Sequence, residues 1–416
     1  MSTKPSIQSE RGAMLILVAL SLVALIAFTT FVVDYGVMWV GRRQAQNAAD
    51  AGALAGAVSM AFDADGWTNR TATGPARTAA RQMAATNFVW GQAPNVDVLT
   101  DVFFTGIPAA MCAPDPDGNT PCIRVDVYRN QARGNALPVL FGQSVGLVST
   151  GVRATATARV AVANASDCLK PWAIPDKWLD VYDVTAPTQP ANTWTPDDNF
   201  ETATRQGNSY VPLANPDVYT PPSASGPGTG FTVDVDLGLE MRLKAGSPSD
   251  AIAPGVFYPV RLPRYDGGSQ GGDDYRSNIA SCNGLPIEIG DSLTSENGNM
   301  IGPTSQGVQA LIAQDPNADW DPTSKSVTGS CAQAATPCAA HSPRIVAIPV
   351  FNTAVYYSGK LTGQTNFTVV NILGFFIDRI QGNDVIGYLT EAPGLSIGNA
   401  PISPQSSFLA QIQLVR

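Results

Sequence analysis

The sequence contains a single histidine, His341, among its 416 residues. One imidazole excludes metal sites built from several histidines and most schemes in which histidine serves as general base. Charged residues are also scarce, at 14% of the chain compared with about 25% in a typical soluble domain. The chain has no Gly-x-Ser-x-Gly, no Gly-x-Gly-x-x-Gly and no phosphate-binding P-loop motif. Together these absences argue against most familiar enzyme classes.

Positive charge is neither abundant nor clustered. The formal net charge is −9 and there is no basic run, so the chain lacks the Lys/Arg surface with which nucleic-acid-binding proteins neutralise phosphates. The charge is also uneven: residues 1–165 carry 12 Lys and Arg against 10 Asp and Glu, whereas residues 166–416 carry 13 against 24. We therefore predict no nucleic-acid partner and a domain boundary near residue 165.

Residues 13–33 contain no charged side chain. As a helix they would span roughly 31 Å, close to the thickness of the hydrocarbon core of a bilayer. A buried core helix is rarely apolar on all sides for this length, and a signal peptide would have a shorter apolar region with small residues directly after it. The small-residue run that begins at Ala51 lies too far along the chain. We predict an uncleaved membrane anchor.

Charged residues mark the point at which this helix would leave the membrane. Asp34 directly follows the apolar run, where an ion is costly unless it is paired or hydrated. Arg42 and Arg43 follow, and the sequence allows them to contact lipid headgroups or to pair with Asp34 of a neighbouring subunit. Lys4 and Arg11 balance them on the other side, so the positive-inside rule does not fix the orientation. The cysteines favour a C-terminal region outside the cytoplasm.

The helix is predicted to continue beyond the membrane. No proline interrupts residues 13–62, which would form a helix roughly 75 Å long. Small residues at helical spacing lie along it and would let another backbone approach closely. We call the following residues the small-residue face: Ala45, Ala49, Gly52, Ala53, Gly56 and Ala57. The sequence leaves open whether this face packs on the chain's own domain or on neighbouring subunits.

The N-terminal motif resembles a known family. The strings ERGA at 10–13, VDYG at 33–36, RRQAQNAADA at 42–51 and ALAGA at 53–57 are similar to the N-terminal domain of the TadE/TadG-like family of Flp pilus and tight-adherence assembly. The resemblance implies an envelope protein anchored in the inner membrane, without catalytic residues or cofactors. It also implies that its partners are other pilus-assembly or pseudopilin-like subunits, with copies of itself among the candidates.

Two departures from related proteins are visible. Pilin-type cleavage expects a glutamate five residues after the processed glycine, but Leu17 stands in that position after Gly12. Larger TadG proteins carry a metal-binding Asp-x-Ser-x-Ser motif, whereas residues 291–295 read DSLTS. We therefore expect neither prepilin cleavage nor this metal site.

Beyond residue 62 the patterns are those of an α+β protein. We predict a helix over 75–90 and strands over 95–104, 122–128 and 152–162, a small antiparallel sheet that resembles a pilin-like subunit. In the region 166–416, alternating and apolar runs predict strands at 231–244, 255–262, 344–357, 365–378, 384–390 and 408–415. One helix is predicted at 305–314, with Thr304 as its N-cap. The second region is therefore β-rich.

Six cysteines favour three disulfides. Short loops that contain proline favour the pairs Cys112–Cys122 and Cys331–Cys338, and Cys168–Cys282 remains, although sequence cannot fix the pairing. A zinc site from Cys331, Cys338 and His341 is an alternative with unfavourable spacing.

Asp115, Asp117 and Asn119, with Asp126 at the twelfth position, resemble a calcium loop, but its glycine is misplaced and its last ligand is not glutamate. We predict no metal site.

An enzymatic alternative depends on acidic and aromatic residues of the second region. A glycosidase needs two carboxyl groups across a cleft, and tryptophans could stack on sugars. The candidates are Asp197, Asp198, Glu201, Asp273, Asp274, Trp172, Trp178 and Trp194. Acidic residues in loops rich in Gly, Asn and Pro are also expected simply from turn chemistry, and tryptophans are more often part of a core.

The sequence thus predicts an α+β, single-pass protein of the bacterial inner membrane, with its C-terminal region in the periplasm or outside the cell. Its predicted parts are a membrane anchor and stalk helix (1–62), a pilin-like α/β part (63–165) and a β-rich, disulfide-bonded domain (166–416). We expect a structural role in pilus assembly or adherence rather than an enzyme. The alternative is a membrane-tethered protein that binds or cleaves carbohydrate.

Overall fold

The computed structural model describes residues 7–63, 66–112, 120–146, 148–181, 194–195, 198–207, 209–264, 271–333, 338–339, 341–362, 366–398 and 402–415. The chain forms two compact units. Unit 1 comprises Met1–Met60, Gly66–Arg159 and Ile412–Arg416. Unit 2 comprises Ala61–Asp65 and Val160–Gln411.

Helices and strands are numbered in chain order. The helices are α1 (Ile7–Phe62), α2 (Pro75–Thr86), α3 (Val233–Asp236), α4 (Gly272–Ala280), α5 (Ile301–Ile312) and α6 (Thr353–Thr362). The strands are β1 (Val102–Phe103), β2 (Cys122–Arg129), β3 (Val152–Val162), β4 (Ala165–Ser166), β5 (Trp172–Pro175), β6 (Ala203–Gln206), β7 (Ser209–Pro212), β8 (Glu240–Ala245), β9 (Val256–Arg261), β10 (Ile287–Glu288), β11 (Ser292–Ser295), β12 (Asp319–Asp321), β13 (Ser326–Thr328), β14 (Ile345–Phe351), β15 (Asn366–Gln381), β16 (Asp384–Thr390), β17 (Ala392–Pro393) and β18 (Leu409–Val415). This mixed content confirms the α+β expectation.

Helix α1 is continuous over 56 residues, in keeping with the absence of proline between its ends. The side chains from Gly12 to Thr29 are exposed along the helix. In the part of the chain that the structure describes, α1 is the one helix long and apolar enough to cross a membrane. The second half of the helix, by contrast, is largely buried within unit 1.

In unit 1, α2 and a small antiparallel sheet pack on the second half of α1. Strands β2 and β3 pair from Cys122 opposite Arg159 to Arg129 opposite Val152, and β1 pairs with the other edge of β2. The predicted strand over 95–104 is wrong except for Val102–Phe103, which form β1. The Asp97 carboxylate accepts hydrogen bonds from two backbone N–H groups that follow it, at 2.8 and 2.9 Å, and so closes a turn in place of a strand.

Unit 2 contains a ring of six strands. Strand β15 pairs with β14, β14 with β5, β5 with β9, β9 with β8 and β8 with β16, and β16 returns to β15. Strand β11 additionally bridges β15 and β9. Closing a sheet on itself removes its unpaired edges. Large buried side chains such as Tyr258, Phe351, Phe367 and Phe375 make up the apolar core of this unit.

Two predicted strands of unit 2 are partly helical. Within 231–244 the strand β8 begins only at Glu240, because the Asp236 carboxylate accepts a hydrogen bond from the backbone N–H four residues earlier (2.8 Å) and stabilises the turn α3. Within 344–357 the strand ends at Phe351. The Asn352 side chain then accepts a hydrogen bond from the backbone N–H three residues later (2.9 Å), which starts α6.

The helix predicted at 305–314 begins earlier, at Ile301. Thr304 therefore lies inside α5 and is not its cap; its hydroxyl instead contacts the Tyr275 hydroxyl at 3.3 Å. The partner helix α4 was not predicted. The two helices approach closely at Gly307, where a Cβ atom would lie 2.7 Å from the Cβ of Ile279. The glycine therefore permits the contact between α4 and α5.

Three disulfides join Cys112 to Cys122, Cys168 to Cys282 and Cys331 to Cys338. They are the pairs that the sequence favoured, and each lies within one unit. Of the residues considered as a calcium loop, Asp115, Asp117 and Asn119 lie outside the described part of the chain. Asp126 is described and pairs with Arg153 at 2.8 Å.

Candidate functional site

The structure brings Asp34 together with a turn more than a hundred residues away in the chain. The Asp34 side chain is buried, and its Oδ1 accepts hydrogen bonds from the N–H groups of Leu140 (2.9 Å) and Phe141 (3.3 Å). Its Oδ2 accepts from Phe141 (3.3 Å) and Gly142 (2.5 Å). These N–H groups lie at the start of a single 3₁₀ turn, Gly142–Val145, and in the two residues before it. The carboxylate therefore satisfies donors that the turn itself leaves unpaired.

These hydrogen bonds show how the charge of Asp34 is stabilised at the end of the apolar run. A carboxylate at the end of an apolar helix requires partners, and here backbone N–H groups supply them. The four contacts occupy the acceptor sites of both oxygens, so pairing with an arginine of a neighbouring subunit would have to displace them. The turn Leu140–Gly142 gave no signal in the sequence, because backbone donors are present at every residue except proline.

Arg42 and Arg43 are exposed on the next turns of α1. The Arg43 guanidinium lies over the Trp39 ring, 3.9 Å from its centroid, a cation–π contact between neighbours on one helix face. Within the described ranges, no ion pair joins either arginine to Asp34. Their charges remain directed to the surroundings of the helix.

The small-residue face is buried in unit 1. Its alanines Ala45, Ala49, Ala53 and Ala57 have no exposed surface. At Gly52 a Cβ atom would lie 2.9 Å from the carbonyl oxygen of Ala80 in α2. At Gly56 it would lie 2.5 Å from the end of the Ile123 side chain in β2. The chain's own α2 and β2 therefore occupy this face, and a partner helix could reach it only by displacing them.

Polar side chains beside the small-residue face form hydrogen bonds with other parts of unit 1. Gln44 accepts a hydrogen bond from the N–H of Trp90 (2.7 Å). Gln46 donates to the carbonyl oxygen of Thr155 (3.1 Å) and to the Asp50 carboxylate (2.8 Å). The stalk half of α1 is thus an integral part of unit 1 rather than a spacer.

We expect Asp34→Ala to release the turn that follows Leu137. Without the carboxylate, the N–H groups of residues 140–142 lose their acceptor, so their hydrogen exchange in detergent micelles should become at least several-fold faster. Asp34→Asn keeps one acceptor oxygen and should show a smaller increase. Unchanged exchange of these amides in Asp34→Ala would contradict the capping role.

Three of the carboxylates considered for sugar chemistry have local structural roles. Asp198 is buried and accepts a hydrogen bond from a backbone N–H three residues earlier. Asp273 and Asp274 lie in the first turn of α4, and each pairs with an arginine. Glu201 is half-buried, and Asp197 lies outside the described residues. These are ordinary uses of acidic residues in turns and helix starts.

The three tryptophans considered as a sugar platform pack inside unit 2. Trp172 is buried against Phe257, with ring centroids 5.7 Å apart. Trp178 and Trp194 meet edge to face at 5.9 Å, and Trp194 also meets Phe231 at 5.2 Å. Their ring faces are therefore used by the core, and the carbohydrate alternative gains no support from them.

Lys170 and Asp176 are buried ionisable groups of unit 2 that the sequence did not predict. Burial lowers the pKa of Lys170 to about 7, and its ammonium donates to the carbonyl oxygens of Asn278 (3.1 Å) and Ser281 (2.7 Å) at the end of α4. Burial raises the pKa of Asp176 to about 6 against the opposing effect of its hydrogen bonds, among them one from the Tyr219 hydroxyl (2.9 Å). Both groups are bonded to the chain's own elements and serve the fold. The position of Lys170 within an apolar run was the available signal.

The described residues contain no group of three His, Cys, Asp or Glu side chains that could hold a metal ion. The sulfur atoms of Cys331 and Cys338 are bonded to each other, which removes both as thiolate ligands of a zinc ion. His341 is half-buried, and burial lowers its pKa.

Comparison with known proteins identifies one segment of the chain. Residues 12–59 match the Tad family model, which is described as putative Flp pilus-assembly TadE/G-like. The match lies entirely within α1 and includes Asp34, both arginines and the small-residue face. No curated protein and no solved structure matches the chain.

Proposed function

We propose that this chain, which carries a Tad domain over residues 12–59, is a structural component of Flp pilus or tight-adherence assembly that acts through contacts with other assembly subunits. The observation that carries the proposal is the position of the match. It covers one continuous helix whose first half is exposed and apolar and whose second half is built into unit 1. A long helix packed on a small antiparallel sheet is also the reason to propose a pilin-like role for unit 1.

The proposed location is the bacterial inner membrane, with the part of the chain that follows the apolar run 13–33 on the periplasmic side or outside the cell. An apolar helix of this length supports a single membrane crossing. Three disulfides support an oxidising compartment for the units, because the cytoplasm keeps thiols reduced. The absence of catalytic motifs supports a structural role rather than an enzymatic one.

Deletion of the chain in its source organism should abolish Flp piliation and surface adherence, and the full-length chain should restore both. A matched variant in which residues 1–33 are replaced by a cleavable signal peptide keeps Asp34 and every residue after it but loses the anchor. It should be exported and folded yet fail to restore piliation. Normal piliation after deletion would overturn the proposal, and full rescue by the released variant would overturn the requirement for anchoring.

A further inference from the structure

We propose that the loop 137–146 of unit 1, here called the exit loop, is a second membrane contact that rests in the headgroup layer of the bilayer beside α1. The proposal rests on the membrane anchoring in the proposed function. It adds a part of the globular unit to the membrane-binding surface.

The hydrogen bonds of Asp34 fix the depth of the exit loop. Asp34 is the first residue after the apolar run, so it lies at the boundary of the hydrocarbon core. The backbone of Leu140 and Gly142 is bonded to its carboxylate and therefore lies at the same level along α1. Leu137 packs on Gly41, seven residues further along the helix. At 1.5 Å per residue, the loop thus descends about 10 Å along α1 towards the membrane.

The lowest part of the exit loop presents apolar side chains. Leu140 is 53% exposed and Phe141 is 47% exposed, although both belong to a turn that is held tightly by Asp34. On α1 at this level, the exposed rings of Phe31 and Tyr35 stack with centroids 5.8 Å apart. Exposed aromatic and aliphatic side chains at the end of a membrane helix are typical of the interfacial layer. Phe31 belongs to the apolar run and Tyr35 directly follows Asp34, so these rings stand where the membrane-spanning segment ends.

The polar groups of this region suit the same environment. The Asp34 charge and the loop N–H groups satisfy each other, so neither enters the interface unpaired. About two turns further from the hydrocarbon, Arg42 and Arg43 are exposed, at a distance that suits phosphate groups of anionic lipids. Along α1, away from the hydrocarbon, apolar side chains are followed by a hydrogen-bonded carboxylate and then by two arginines. This order fits a lipid surface rather than another protein.

Single introduced cysteines test this contact in the full chain. The six native cysteines are paired with one another, so a new thiol can be labelled with an environment-sensitive fluorophore. Phe141→Cys and Leu140→Cys report on the exit loop, Leu22→Cys on the membrane helix, and Thr68→Cys on an exposed position beyond the end of α1. In vesicles of phosphatidylethanolamine and phosphatidylglycerol, lipid-borne quenchers should remove most of the emission at positions 22, 140 and 141, and little at position 68.

The outcomes separate the two proposals. Quenching at position 22 with none at 140 and 141 would overturn the exit-loop contact and leave the anchor intact. Absence of quenching at position 22 would overturn the anchoring on which both depend. Equal quenching at position 68 would show adsorption of the whole unit and would also overturn a contact specific to the loop.

Discussion

Gly52→Leu is expected to destabilise unit 1 even when no other subunit is present. A Cβ atom at this position would lie 2.9 Å from the carbonyl oxygen of Ala80 and 3.0 Å from the Cβ of Ala84, and both belong to the backbone or its first carbon and cannot rotate away. Leucine adds three further carbons in the same space, so α2 must move. Because overpacking a close contact typically costs 1–3 kcal/mol and a backbone clash costs more, we expect a loss of at least about 3 kcal/mol.

Hydrogen exchange of α2 and β2 peptides from the purified chain in detergent would measure this loss, with peptides of unit 2 as an internal reference. Gly36→Leu is the matched control, because a Cβ atom added at Gly36, on the same helix, would meet no atom within 4 Å. It should be neutral, or more stable by up to about 1 kcal/mol from helix propensity. Native exchange of α2 in Gly52→Leu would show that α2 does not cover the small-residue face, and packing against other subunits would become the better interpretation.

The small-residue face shows how much of such a contact sequence can reveal. Spacing on α1 predicted which face would pack closely, but it could not say what covers it. A second signal was present in α2, where Ala76, Ala80 and Ala84 follow the same spacing and are all buried. Two matching stripes of small residues in one chain indicate mutual packing more strongly than either stripe alone.

Local patterns also located strands of unit 2 better than they located turns. Strand β16 has the predicted bounds, because its apolar run is bordered by a turn at Gly382 and by the break after Thr390. The helix α6 and the turn α3 were missed, since single side-chain hydrogen bonds from Asn352 and Asp236 decide them. The ring of strands could not be predicted from local patterns, because it requires pairing of β5 with β14, more than 170 residues apart.

In the candidate site, too, local sequence identified one partner of the contact and only the fold revealed the other. Asp34 was identified because a charge beside an apolar run is costly, a rule that needs only local sequence. Its partners at 140–142 are backbone groups, which no residue type marks, so the exit loop could be found only from the fold. The apolar exposure of Leu140 and Phe141 becomes informative only once their level relative to the membrane is known.

Arg344→Met is expected to cause the largest loss of stability in unit 2. The Arg344 side chain is only 3% exposed, and its guanidinium donates to the carbonyl oxygens of Ile377 (2.8 Å), Asp315 (3.0 Å), Ala318 (2.6 Å) and Asp378. Burial lowers the pKa of Arg344 from its ordinary value, but an arginine remains charged. Methionine fills part of the volume but donates no hydrogen bond, so all four carbonyl oxygens lose their arginine donor, and that of Asp315 keeps only a long hydrogen bond from the N–H of Ala318 (3.4 Å). Since each unsatisfied group costs about 1–3 kcal/mol, we expect a loss of about 4 kcal/mol or more.

Two further variants separate the hydrogen bonds from charge and volume. Arg344→Lys keeps the charge but lacks the planar fork that reaches four acceptors, so it should lie between Met and the native residue. Arg242→Met removes an arginine whose side chain is 59% exposed beside Asp384, and an exposed ion pair contributes at most about 1 kcal/mol. Exchange of β14 and β15 peptides should therefore accelerate strongly in Arg344→Met and hardly in Arg242→Met. Similar exchange in both variants would mean that the carbonyl oxygens find other donors, and that strands β14 and β15 hold the ring closed without this arginine.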